Sequence, residues 1–144
     1  MLLAVGYALV YTVVGVGLLA LGFAILDLLT PGHLPTQVWR EANPGAAVVS
    51  AAGALSVGLI AFTTIWVNAE SGFGTALLYT VVFGVLGVLL QGAGLVLLDL
   101  LLRRRLGDVV IGRDVAGGRR LHPGVFVIAA WQLSVAGVVI ASTA

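Results

Sequence analysis

The chain contains no cysteine, which excludes disulfides, thiolate metal sites and cysteine nucleophiles. It contains no lysine either, so all seven of its cations are arginines. Charged residues make up only 9% of the 144 positions and hydrophobic residues 60%, against about 25% charged in an ordinary soluble domain. Two histidines and six acids leave few groups from which to assemble a catalytic site. Walker loop, dinucleotide fingerprint, nucleophile elbow and zinc-protease motif are all missing. His33 and His122 stand alone beside glycine or proline, with no second ligand at metal spacing, and no metal or other cofactor is expected.

What is present is overwhelmingly apolar. The mean hydropathy of +1.16 describes a surface that a single domain of this size could not hide from water, so lipid must serve as solvent. Four stretches exceed the roughly 20 residues needed to cross a hydrocarbon core: 2–29, 46–67, 75–102 and 124–142. Each must be helical, because a spanning segment has to satisfy its own backbone hydrogen bonds. The breaks between them carry ordinary stop residues: Thr30-Pro31-Gly32, Asn43-Pro44-Gly45, Ser71-Gly72 and His122-Pro123-Gly124. The start, Met1 to Gly6, lacks the basic region of a cleaved signal peptide, so the first span is expected to be retained.

Two of the spans are one helix written twice. Slid by 72 positions without a gap, residues 7–29 and 79–101 agree at 11 of 23 places, including Gly15/Gly87, Val16/Val88, Gly22/Gly94 and Asp27/Asp99. The second spans match more weakly, through Pro44/Pro123, Gly45/Gly124, Val48/Val127 and Gly58/Gly137. The fold expected is therefore an all-α integral membrane domain over residues 1–144, built from two tandem two-helix repeats, 2–67 and 75–142. A unit with an even number of spans keeps its orientation when duplicated, and a pseudo-two-fold along the membrane normal is expected to relate the copies.

Arginine sets the expected sidedness. Arg40 lies in the first loop, and Arg103, Arg104, Arg105, Arg113, Arg119 and Arg120 lie in the third. The termini and second loop hold no cation, so the first and third loops are placed in the cytoplasm and both termini outside. Tyr7, Tyr11, Trp66, Phe73 and Tyr79 gather at the opposite boundary, as an interfacial belt would. The basic third loop also suits contact with anionic lipid on the cytoplasmic face. Within it, residues 108–114 read as a small turn or hairpin over the helix ends. Nothing in it resembles a nucleic-acid motif beyond the charge, and no nucleic-acid partner is expected.

Few polar residues sit inside the spans. Asp27 and Asp99 close their apolar runs near the cytoplasmic boundary, at helix ends whose dipole disfavours an anion. Arg103 stands four residues beyond Asp99 and can pair with it. For Asp27, the candidates are Thr30, Arg40 or the Arg103–Arg105 run. An interfacial ion pair that fixes helix rotation is one reading of the two acids, and ion or proton handling is the other. Gln91 and Gln132 are buried amides suited to a hydrogen bond between the third and fourth spans, or to a polar lining. Small residues recur at Ala46, Ser50, Ala54 and Gly58, at Gly84, Gly87 and Gly94, and at Gly15 and Gly22, with Gly137 in the last span. They predict close helix packing with the first and third spans central, and an oligomer.

The strings Gly22–Gly32, Glu41–Ala47 and Leu97–Leu101 resemble a bacterial inner-membrane family labelled domain of unknown function 350. That family's tandem two-helix units would match nearly the whole chain. The resemblance implies a plasma-membrane location and no established activity, and it singles out Asp27, Glu41 and Asn43 in the first loop region. The second half departs from the pattern: it lacks the Thr-Pro-Gly stop and carries the arginine-rich insertion instead. Together these features lead to a non-enzymatic, multi-pass subunit of a membrane assembly, partnered by lipid, by its own copies or by other membrane proteins. The alternative is an oligomeric ion or small-solute conduit using Asp27 and Asp99.

Overall fold

The computed structural model describes residues 1–30, 32–68, 70–102, 106–112 and 121–143. Among these residues six helices follow in chain order: α1 (Leu2–Leu29), α2 (Leu34–Trp39), α3 (Pro44–Val67), α4 (Phe73–Leu102), α5 (Leu106–Ile111) and α6 (Gly124–Thr143). Helices α1, α3, α4 and α6 are long and apolar enough to cross a membrane. Large apolar side chains such as Val13, Leu55, Phe62 and Val138 point away from the bundle, an arrangement that suits lipid and not water. The arginines Arg103, Arg104, Arg105, Arg113, Arg119 and Arg120 lie outside the described residues.

Local chemistry places the helix boundaries. The Asn43 side chain accepts from the backbone N–H groups of Gly45 and Ala46 at 2.9 and 3.3 Å. With Pro44 supplying a fixed φ at the first helical position, this is a complete start signal for α3. At the other boundary, the Thr30 N–H closes α1 on the Leu26 carbonyl at 3.0 Å, and the chain then turns extended.

Contacts fix the directions of the spans. Gly22 meets Val57 and Gly53 meets Leu26, so α1 and α3 run antiparallel. Leu18 meets Gly84 and Ile25 meets Gly92, so α1 and α4 run parallel. Gly87 meets Val139 and Gly94 meets Val135, making α4 and α6 antiparallel. The four form a ring in the order α1, α3, α6, α4, with α3 and α4 also touching across it. Helix α3 is the most enclosed of the four long helices and α1 the least. The glycine stripes led us to expect α1 and α4 in the centre; α3 and α4 are the pair that touches across the ring, and α1 lies at a corner.

These contacts do not describe the expected pseudo-two-fold. An axis exchanging α1 with α4 and α3 with α6 would pair the α3–α4 contact with an equal α1–α6 contact, and none comparable exists among the described residues. It would also pair Leu18–Gly84 with Leu90–Thr12, yet both Leu90 and Thr12 face outward. The two hairpins instead stand side by side, with α4 seated in the groove between α1 and α3. There Val88 is enclosed by Leu18, Val57 and Ala61, with Val14, Val85 and Ile25 at the edge.

Two short helices clamp one end of the bundle. Leu34 of α2 is fully buried against the core residues Leu26, Ala46 and Leu98. Helix α5 forms where we expected a turn or hairpin, and it lies across the first turns of α3 and α6. Its Val110 carbonyl sits directly over Gly45, and its Val109 side chain comes within 2.8 Å of where a methyl on Gly124 would be. The i, i+3/i+4 burial of Gly107 and Val110 explains the choice of helix over hairpin, because it turns one apolar face onto the helix ends.

Two glycines of α3 therefore respond oppositely to a methyl group. Gly45→Ala drives Cβ into the Val110 backbone carbonyl and should lower stability by roughly 1–3 kcal/mol, as overpacking does. Gly58→Ala meets nothing within 4 Å among the described residues and should be neutral or gain about 0.5–1 kcal/mol of helix preference. Thermal unfolding of the two variants in one detergent tests the pair.

Candidate functional site

Asp27 is positioned by the last turn of α1, where the helix dipole opposes it, and α2 resolves the conflict. One carboxylate oxygen accepts the backbone N–H of Leu34, the first residue of α2, and the other lies 3.4 Å from His33 Nδ1. The anion thus sits at the negative end of one helix and the positive end of the next, and satisfies a donor that α2 would otherwise leave open. Its side chain is 27% exposed while His33 is 84% exposed. Among the described residues, the partners of Asp27 are this helix start and His33, and neither Thr30 nor Arg40 takes that place. The Thr-Pro-Gly break, followed by Leu34-Pro35, was a signal for a new helix start that the sequence reading missed.

Asp99, the counterpart of Asp27, is half-buried near the end of α4. Its expected partner Arg103 lies outside the described residues. Asn43 is buried and acts as the α3 cap, while its own N–H donates to the Gln37 carbonyl at 2.9 Å. Glu41 is exposed in the turn between α2 and α3, and its backbone N–H donates to Thr36 at 3.0 Å. The first loop is thereby an organised cap in which Asp27, Gln37 and Asn43 tie α1, α2 and α3 together.

A second polar group lies midway along the spans. Gln91 Nε2 of α4 donates to the backbone carbonyl of Gln132 on α6 at 3.1 Å. Three residues on, Trp131 Nε1 of α6 donates to the Gly94 carbonyl of α4 at 2.8 Å. The Gln132 side chain turns the other way, its Oε1 lying 3.2 Å from where a methyl on Gly53 of α3 would be. Both Gln132 and Ser56 are almost fully buried. The Gln132 amide and the Ser50 and Ser56 hydroxyls make no hydrogen bond to protein groups among the described residues. Threonines 64 and 80, by contrast, bond their own i−4 carbonyls. Amides and hydroxyls hold no charge near neutrality, so this seam can orient helices, pass hydrogen bonds or offer neutral dipoles to a polar solute. Ser56 and Trp131 were not legible beforehand, because a lone serine or tryptophan in an apolar run has no periodicity of its own.

The small residues divide into two sets. Gly22, Gly84, Gly87 and Gly94 each hold a side chain from a neighbouring helix against their backbone. A methyl added at Gly15, Gly58 or Gly137 would meet nothing within 4 Å among the described residues, and Ala54 is exposed. On α3 the reason is geometric. A repeat of four residues drifts about 40° per step around a 3.6-residue helix, so Ala46 and Ser50 face inward and Ala54 has left the interface. The groups of three or more His, Cys, Asp or Glu side chains that a metal ion would need do not occur among the described residues.

Comparison with known proteins agrees with this architecture. The family model described as Domain of Unknown Function (DUF350) matches residues 1–143. A UPF0719 transmembrane protein of Mycolicibacterium paratuberculosis is 34% identical over 134 residues, covering 93% of this chain and 84% of the relative. UPF0719 transmembrane proteins of Mycobacterium bovis and Mycobacterium tuberculosis are each 32% identical over 132 residues, covering 92% of this chain and 82% of theirs. No solved structure matches. A match running almost from end to end, over four apolar helices, assigns the chain to the DUF350 family of transmembrane proteins.

Proposed function

We propose that the protein is a non-enzymatic, multi-pass subunit of the bacterial plasma membrane, acting as a scaffold or accessory component in an assembly of its own copies or with other membrane proteins. One observation carries this reading: the polar side chains hold helices to one another. Asp27 caps α2, Asn43 caps α3, and Gln91 and Trp131 tie α4 to α6. Two grooves on the bundle, of about 320 and 500 Å³, are lined by apolar residues save Ser134. Such walls suit another helix or an acyl chain as occupant. Each half of the chain is a hairpin repeat in this reading. The arginine-bearing loops face the cytoplasm and its anionic lipids, and both termini lie outside.

A conduit for ions or small solutes is the second reading. It is favoured by the buried Gln132 amide and Ser50 and Ser56 hydroxyls midway along the spans, together with Asp27 and Asp99 at one end.

Asp27 variants separate the two. As a cap, Asp27→Ala should lower stability by about 1–2 kcal/mol, whereas Asp27→Asn, which keeps an acceptor, should lose only a fraction of that. Thermal unfolding and ion-flux assays in liposomes are the measurements. A carboxylate that handles ions would lose its flux in both variants alike, and that result overturns the scaffold reading.

Sidedness is tested by reporters after Ala144 and within residues 106–119: the first should be active only outside the cell and the second only inside. Native mass measurement of the membrane-extracted protein should show species larger than one chain. A lone monomer under mild extraction contradicts the assembly.

A further inference from the structure

The repeated sequence builds the same groove twice, and the chain fills it once. In the first hairpin, Gly22 of α1 holds Val57 of α3; in the second, Gly94 of α4 holds Val135 of α6. This contact equates α1 with α4 by 72 positions and α3 with α6 by 78, one residue off the spacing that matches Pro44 with Pro123. On that register, the groove that encloses Val88, walled by Leu18, Ile25, Val57 and Ala61, corresponds to Leu90, Leu97, Val135 and Val139. All four of these line the outward groove of about 500 Å³ between α4 and α6.

The helix that would fit this second groove is also specified. The α4 face seated in the first groove presents Gly84, Val88 and Gly92. Shifted back by 72, it becomes Thr12, Val16 and Ala20 of α1, and all three are exposed. Val16 is 59% exposed although it repeats Val88, which is 1% exposed. Gly15, where an added methyl would meet nothing within 4 Å among the described residues, repeats Gly87, which holds Ile60.

We propose that α1 of a second copy of this chain occupies the groove between α4 and α6, with Val16 entering as Val88 enters the groove between α1 and α3. The inference rests on the self-assembly part of the function proposed above and specifies its interface. Leu90 of one copy then lies on Thr12 of the next, as Leu18 lies on Gly84, and Leu97 lies on Ala20, as Ile25 lies on Gly92. The contact is head to tail, so every copy keeps one groove and one α1 face for further neighbours. It generates a ring if the rotation closes and an open row if it does not.

The absence of native cysteine makes the test direct. Differently tagged chains carrying Leu97→Cys and Ala20→Cys are co-expressed and oxidised in native membranes, as are chains carrying Leu90→Cys and Thr12→Cys. Mixed dimers should form in both pairs, neither Leu97→Cys nor Ala20→Cys alone should cross-link, and a chain carrying both should give a ladder or one closed species. Ile25→Cys with Gly92→Cys in a single chain, which should link internally, reports that the bundle is folded and the oxidant reaches the bilayer. Ala20→Trp, on an outward face, should abolish the Leu90–Thr12 cross-link while leaving the internal one. The proposal is overturned if the internal pair links and the mixed pairs do not, or if Leu97→Cys links to itself as a symmetric dimer would. Larger native species without the mixed cross-links would retain self-assembly and remove this interface; a monomer would remove both.

Discussion

Close approach of helix backbones at glycine is the constraint on which this bundle depends. In lipid the apolar exterior of a helix gains nothing from leaving its solvent, so association must come from packing and from hydrogen bonds between helices. Val57 on Gly22, Leu18 on Gly84, Ile60 on Gly87 and Ile25 on Gly92 supply the packing. At each of these places a methyl group would come within 2.8 Å or less of its neighbour, so the side chain and the bare backbone fit as knob and hole. Gln91 and Trp131 then lock α4 to α6 by bonding carbonyls on the opposite helix.

The ends of the helices follow from a different necessity. A helix terminus leaves donors or acceptors open, and near a membrane boundary these cannot all be left to water. Asn43 closes the start of α3, and Asp27, unfavourably placed at the end of α1, closes the start of α2. With Leu34 and Val110 both buried beneath the loops, one end of the bundle carries a structured cap. That cap coincides with the first-loop residues on which the family resemblance rested, and the geometry gives Asp27 and Asn43 capping roles there.

Repeated sequence stands in unequal surroundings in the two hairpins. Once α4 occupies the groove of the first hairpin, the equivalent groove of the second hairpin and the equivalent face of α1 are left facing outward. Side-by-side packing, in place of a closed two-fold, is what separates buried Val88 from exposed Val16 and occupied Gly87 from open Gly15.

Composition and hydropathy by themselves determined the four spans, their boundaries to within two residues and the duplication of α1 in α4, because each of these depends only on residues adjacent in the chain and on the thickness of a bilayer. The Asn-Pro start of α3 was legible for the same reason. Helices α2 and α5 were not, since six residues carry too little periodicity to signal a helix without the core that holds Leu34 and Val110. Which copy of each repeated residue is buried, which helix is central and what Asp27 bonds were decided by tertiary structure alone. Identical side chains at Val16 and Val88 have the same chemistry, and only the placement of the neighbouring hairpin distinguishes them.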